Sequence, residues 1–110
     1  MPNINDTVNG LVLELRRGTL ILSVLSQLSE PQYGYSLVQK LEDKGISIEV
    51  GTLYPLLRRL EKQELLESSW NLEDTRPRRY YCLSQMGKEV YTRMCDEWRK
   101  MVSGIDSLIG

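Results

Sequence analysis

The chain has 110 residues, 41% hydrophobic and 26% charged, with a formal net charge of −1, the proportions of a single ordinary globular domain. That balance argues against indiscriminate binding to polyanions, so any nucleic-acid affinity must come from where the cations sit. Histidine is absent, which removes Ser-His-Asp and Cys-His nucleophilic sites and most zinc geometries.

Along the chain, Leu20, Ile21, Val24, Leu25 and Leu28 recur at helical spacing. They predict a helix over Leu11–Leu28 that Ser29-Glu30-Pro31 stops, with Gly18 marking where an N-terminal extension joins it. A second helix is expected from Tyr35 to Lys44, with Leu37, Val38 and Leu41 inward and Gly45 as the terminating residue. Ile46-Ser47-Ile48 reads as a short extended connector. A third helix is expected from Val50 to Gln63. At about 100° per residue, Leu53, Leu56, Leu57 and Leu60 group on one side of it. Gly51, Pro55, Arg58, Arg59 and Lys62 gather on the other, with Thr52 and Tyr54 on the flanks. Proline at 55 removes a backbone donor and crowds the Gly51 carbonyl, so either this helix starts near Thr52 or it tolerates a bend.

Leu65–Leu72 and Arg78–Leu83 alternate as two antiparallel strands joined by the polar turn Glu73-Asp74-Thr75-Arg76-Pro77. Three helices and then a hairpin is the order of a winged helix-turn-helix, a mainly α fold with a small β-hairpin (α+β). A last helix is expected from Met86 to Leu108. Its apolar positions Val90, Met94, Trp98, Met101, Ile105 and Leu108 step at heptad-like spacing, and Tyr91, Val102 and Ile109 widen the stripe. A long helix with a broad apolar side, attached to an already complete small domain, needs another surface to cover it, and a partner subunit supplies one. Residues 1–84 would thus be the DNA-binding domain and 85–110 a C-terminal dimerisation helix, with Val90, Met94, Trp98, Met101, Val102, Ile105 and Leu108 at the contact.

No run approaches the roughly 18 apolar residues of a membrane span, and the N-terminus shows no export signal. Cys82 and Cys95 lie in no metal or redox spacing. A cytoplasmic protein with no metal, no cofactor and no membrane partner is expected, and no constellation of an enzyme is visible.

Gly34-Tyr35-Ser36-Leu37, Gly51 through Glu61, Leu65-Leu66-Glu67-Ser68 and Pro77 through Ser84 follow one another in an order that resembles the PadR family of transcriptional regulators, the phenolic-acid decarboxylase repressor type. Arg17-Gly18-Thr19-Leu20 is similar to the family's start of the first helix, and the match spans roughly residues 16 to 88. The short single C-terminal helix resembles the smaller branch. The resemblance implies a winged-helix homodimer on a two-fold related (inverted-repeat) operator in double-stranded DNA, usually a repressor released by a small molecule. Two departures stand out. The wing turn carries Glu73 and Asp74 without glycine, which bears on its approach to the minor groove, and Ser84 replaces the commoner threonine, a change expected to be neutral.

The expected DNA-facing set starts with Arg58, Arg59 and Lys62 on the third helix. Guanidinium groups suit guanine edges or phosphates, and a lysine neutralises phosphate. Gly51, Thr52, Tyr54 and Pro55 lie at the helix entrance, where amides and hydroxyls meet phosphates or bases; Tyr54 either makes contact or plugs the core edge. Tyr35 is a phosphate donor or a structural residue. Arg76, Arg78 and Arg79 lie at the return of the wing, and strand alternation sends Arg78 and Arg79 to opposite faces. Trp98 either fills the dimer contact or, with Met94 and Met101, lines a hollow between subunits for a small hydrophobic or phenolic effector. A reading of another class is a dimeric winged-helix protein-interaction module without direct operator binding.

Overall fold

The computed structural model describes Met1, residues 3–73 and residues 75–110; Asp74, part of the expected wing turn, and Pro2 lie outside the described residues. The elements in order are α1 (Ile4–Arg16), α2 (Thr19–Ser26), α3 (Gly34–Asp43), α4 (Val50–Lys62), β1 (Leu66–Asn71), β2 (Arg78–Leu83) and α5 (Gln85–Ile109).

The single helix expected over Leu11–Leu28 is in fact two. Gly18 takes a left-handed conformation with φ +87°, which an L-residue with a Cβ adopts only at a cost. The Thr19 hydroxyl donates to the Arg16 carbonyl at 2.6 Å, closing the end of the preceding helix. That helix begins well before Leu11. Asn3 caps it by accepting from the Asn5 amide at 2.8 Å.

Helices α2, α3 and α4 enclose the core with the hairpin. Val24, Leu25 and Leu28 meet Leu37 and Leu41 of α3, Leu53, Leu57 and Leu60 of α4, and Leu66, Tyr81 and Leu83 of the hairpin. The α4 positions are spaced four and three apart, so one helical face carries all of them. Helices α3 and α4 end in the same way. The Ile46 amide donates to the Leu41 carbonyl and the Gly45 amide to that of Glu42, both at 2.9 Å, while Leu65 donates to Leu60 at 3.0 Å and Glu64 to Glu61 at 2.9 Å. Both are Schellman motifs with a left-handed residue after the cap. At α3 that residue is Gly45 (φ +81°); at α4 it is Glu64 (φ +66°).

Strands β1 and β2 pair antiparallel with Leu66 opposite Leu83 and Asn71 opposite Arg78. The segment between α2 and α3 adds a third partner. Gln32 and Tyr81 exchange both backbone hydrogen bonds (2.9 and 2.8 Å), and the Leu83 amide donates to the Leu28 carbonyl at 2.8 Å. This anchors the root of the wing to the helical core.

Ser84 then caps α5. Its hydroxyl accepts from the Gly87 amide at 2.9 Å and donates to the Glu64 carbonyl at 2.6 Å. A Cβ at Gly87 would strike the Leu65 carbonyl group, so only glycine lets α5 leave this close to the hairpin. The first turns of α5 belong to the domain core, where Tyr91 and Met94 pack. Beyond them the helix projects into solvent, about 37 Å long in all. Among the described residues no helix is long and apolar enough to cross a membrane.

Candidate nucleic-acid interface

Helix α4 follows α3 across a six-residue connector, residues 44–49, and Glu49 enters it in an extended conformation without a side-chain hydrogen bond to the first-turn amides. The helix starts at Val50, so Pro55 lies inside it. The carbonyl that loses its usual amide partner to the proline ring is that of Gly51, which is exposed to water. Of the two alternatives the sequence left open at Pro55, the helix running through the proline is the one observed.

With Leu53, Leu57 and Leu60 locked inward, Gly51, Thr52, Pro55, Arg58, Arg59 and Lys62 are all exposed. Tyr54 is half-buried at the flank. Its ring lies over Gly34, where a Cβ would come within 2.5 Å of the phenol carbon. The close crossing of α3 and α4 therefore depends on glycine at the start of α3. Tyr35, one residue on, is exposed.

Among the described residues, most of the ion pairs lie on α5. On α5, Arg93 pairs with Glu89, Arg99 with Asp96 and Lys100 with Glu97. No described carboxylate pairs with Arg58, Arg59 or Lys62. In a chain of nearly zero net charge, the outward face of α4 thus gathers three exposed cations that pair with no described carboxylate.

The wing separates its arginines as strand parity requires. Arg78 is exposed, its guanidinium 4.4 Å from the centre of the Tyr33 ring, which meets Tyr80 edge-on at 5.4 Å. Arg79 points to the other face. Its Nη2 donates to Glu61 Oε1 at 3.0 Å and its Nε to Ser68 Oγ at 3.0 Å, while Ser68 Oγ donates to Glu61 Oε2. Arg79 is therefore engaged with α4, whereas Arg76 and Arg78 remain outward. Tyr81 and Leu83, on the core side two and four residues beyond Arg79, already carried this parity in the sequence. Tyr33, Glu61 and Ser68 were missed, because nothing local in the sequence brings them to these partners. Burial raises the Tyr81 phenol above its ordinary pKa against the lowering influence of Arg79, and Glu61 adds to the rise.

The residues expected to form a dimer contact fall into two sets. Val90 and Met94 are partly covered by the chain's own domain, whereas Trp98 (42% exposed), Met101, Val102, Ile105 and Leu108 (86%) face solvent. A solvent-open hollow of about 310 Å³ is lined by Trp98, Arg99, Val102, Ser103 and Asp106. Met94 and Met101, expected beside Trp98 in an effector site, do not line it.

Helix α3, a short connector, the outward-facing cationic α4 and a two-stranded wing define a winged helix-turn-helix protein. Residues 21–93 match the family described as "Transcriptional regulator PadR-like family". The chain is 34% identical over 95 residues to the transcriptional regulator Rv3488 of Mycobacterium tuberculosis, covering 83% of this chain and 89% of the relative. The crystal structure of a PadR family transcriptional regulator from Eggerthella lenta superimposes with a TM-score of 0.90 at 50% identity, over 96% of this chain and 94% of that one. Bacillus subtilis PadR, solved in complex with operator DNA, shares the fold (TM-score 0.64, 18% identity) over 70% of this chain and 47% of its own. The chain belongs to the PadR-like family of transcriptional regulators, and so is a regulator and not an enzyme.

Proposed function

We propose that the protein is a sequence-specific DNA-binding regulator that acts as a homodimeric repressor on an inverted-repeat operator. The observation that carries this is the outward face of α4, where Arg58, Arg59 and Lys62 stand exposed together and none pairs with a described carboxylate. In this reading α4 enters the major groove, with Arg58 and Arg59 at bases or phosphates and Lys62 at phosphate. Gly51, Thr52 and Pro55 approach at the helix entrance, and Tyr35 donates to a neighbouring phosphate. Arg76 and Arg78 follow the flanking backbone from the wing. Tyr54 serves by holding α3 against α4. The operator complex of Bacillus subtilis PadR supports DNA as the partner of this fold.

Two exposed apolar stripes support the dimer. One is the outer half of α5; the other is Ile4, Val8, Leu11 and Leu15 on α1, a helix with no buried residue. A second copy would cover both, which makes residues 85–110 the dimerisation helix in function. The hollow at Trp98 is the place for a flat hydrophobic effector, which must bind the two dimer arrangements unequally to release DNA. A cytoplasmic location belongs to the same reading. The test is selection of bound duplexes from a random pool. Enrichment of an inverted repeat is expected, and loss of that enrichment with an aromatic compound would identify the effector. Failure to enrich any sequence would favour a dimeric protein-interaction module.

A further inference from the structure

Arg79, Ser68 and Glu61 come from β2, β1 and α4 and close a ring of hydrogen bonds. The guanidinium also lies 5.9 Å from the Trp70 ring centre and 5.7 Å from that of Tyr81, so the wing's inward face holds it on several sides. Glu61 occupies the last turn of α4, where the carbonyl end of the helix disfavours a negative charge. On a helix that meets a polyanion, a carboxylate is unfavourable a second time. Both costs fall when Arg79 neutralises it. The pair is sheltered, with side-chain exposures of 39% and 27%.

We infer that this ring is a clamp that fixes the wing relative to the recognition helix, and that Arg79 aids DNA binding as a positioning residue, without touching DNA. The inference rests on the DNA-binding reading above. A duplex presents groove and flanking phosphates at a fixed offset, so α4 and the wing must be held at a matching one. The chain joins α4 to β1 through Gln63, Glu64 and Leu65 alone; the clamp adds a tie near the middle of the hairpin, where Ser68 (opposite Tyr81) and Arg79 (opposite Trp70) lie on one face, diagonal across the ladder.

The charge chemistry gives an unusual sign to the test. Glu61→Gln removes a negative charge beside the DNA and frees Arg79, so a purely electrostatic view expects tighter binding. The clamp expects weaker binding, by about fivefold to thirtyfold. Arg79→Lys keeps the charge but loses the planar fork. As a phosphate contact it would be tolerated; in the clamp it would weaken binding to the same extent as Glu61→Gln.

Affinity is measured for the full chain on a duplex enriched by the wild type from a random pool, across a salt series. Both variants are expected to keep the wild-type salt slope, because no phosphate contact is lost, whereas Arg78→Ala should lower it by about 0.9 for each protomer. Hydrogen exchange without DNA supplies the second readout: both variants should speed exchange at β1 and β2 amides and leave the α2 and α3 amides protected. The clamp is overturned if Glu61→Gln binds as well as or better than wild type, or if Arg79→Lys is neutral in both readouts. A wild type that enriches no duplex overturns the DNA-binding reading and this inference with it.

Discussion

Glu64 follows the cap of α4 at φ +66°, the position Gly45 fills after α3 at φ +81°. The two sites make the same pair of backbone hydrogen bonds, so the geometry is imposed by the chain reversal and not chosen by the residue. A left-handed conformation costs an L-residue about 1–2 kcal/mol. Replacing Glu64 with glycine removes that cost but adds about 0.5–1 kcal/mol of unfolded-state entropy. The net gain expected for Glu64→Gly is about 0.5–1 kcal/mol, a rise of about 2–4 °C in Tm for a domain of this size. The Ser84 bond is to the backbone carbonyl of residue 64 and survives the change. Thermal unfolding followed by circular dichroism at equal chain concentration measures the difference. Glu64→Gln, which removes the charge but keeps the Cβ, isolates the backbone contribution. If Glu64→Gly were no more stable than Glu64→Gln, the left-handed conformation would carry no strain and the reasoning would fail.

Gly87→Ala should cost about 1–3 kcal/mol, since its Cβ meets the Leu65 backbone and no flexible side chain can yield enough; denaturant unfolding reads it. The raised Tyr81 pKa favours the protonated phenol in the folded state. Its stabilising effect is therefore complete below the unfolded value near 10 and lost as pH rises through the higher folded value. Stability of Tyr81→Phe measured from pH 8 to 11 should fall less steeply than that of wild type; parallel curves would remove Tyr81 as the cause. Ile105→Glu places a charge in the exposed stripe of α5 and should turn a wild-type dimer into a monomer in sedimentation, with operator affinity lost. A variant that still sediments with the wild-type mass would put the interface elsewhere.

The parts of the fold legible in the sequence are those whose pattern is local. Leu53, Leu57 and Leu60 at helical spacing with Arg58, Arg59 and Lys62 opposite define both faces of α4, and both faces stand as expected. At Gly18 the sequence shows a junction but not a break. One glycine within a helical pattern is compatible with a continuous helix, and only the left-handed φ separates the two outcomes. The stripe Ile4, Val8, Leu11 and Leu15 has the same spacing as that of α5, yet Asn9-Gly10 interrupts it with poor helix formers. The bridge between Gln32 and Tyr81 leaves no alternation to read, because a single residue pair forms it. The clamp joins residues 61, 68 and 79 through folding alone. Strand parity could have turned Arg79 inward, but not toward Glu61.

The exposed cations of α4 are tested most directly by the salt dependence of binding to a selected duplex, wild type against Arg58→Ala/Arg59→Ala/Lys62→Ala. Each phosphate-neutralising cation adds about 0.9 to the slope of log affinity against log salt. If all three residues meet phosphates in both halves of a dimer, the triple variant should lose about 5 from that slope, along with most of its affinity at low salt. A triple variant that keeps both the wild-type affinity and the wild-type slope would show that DNA, if bound at all, is held by some other face.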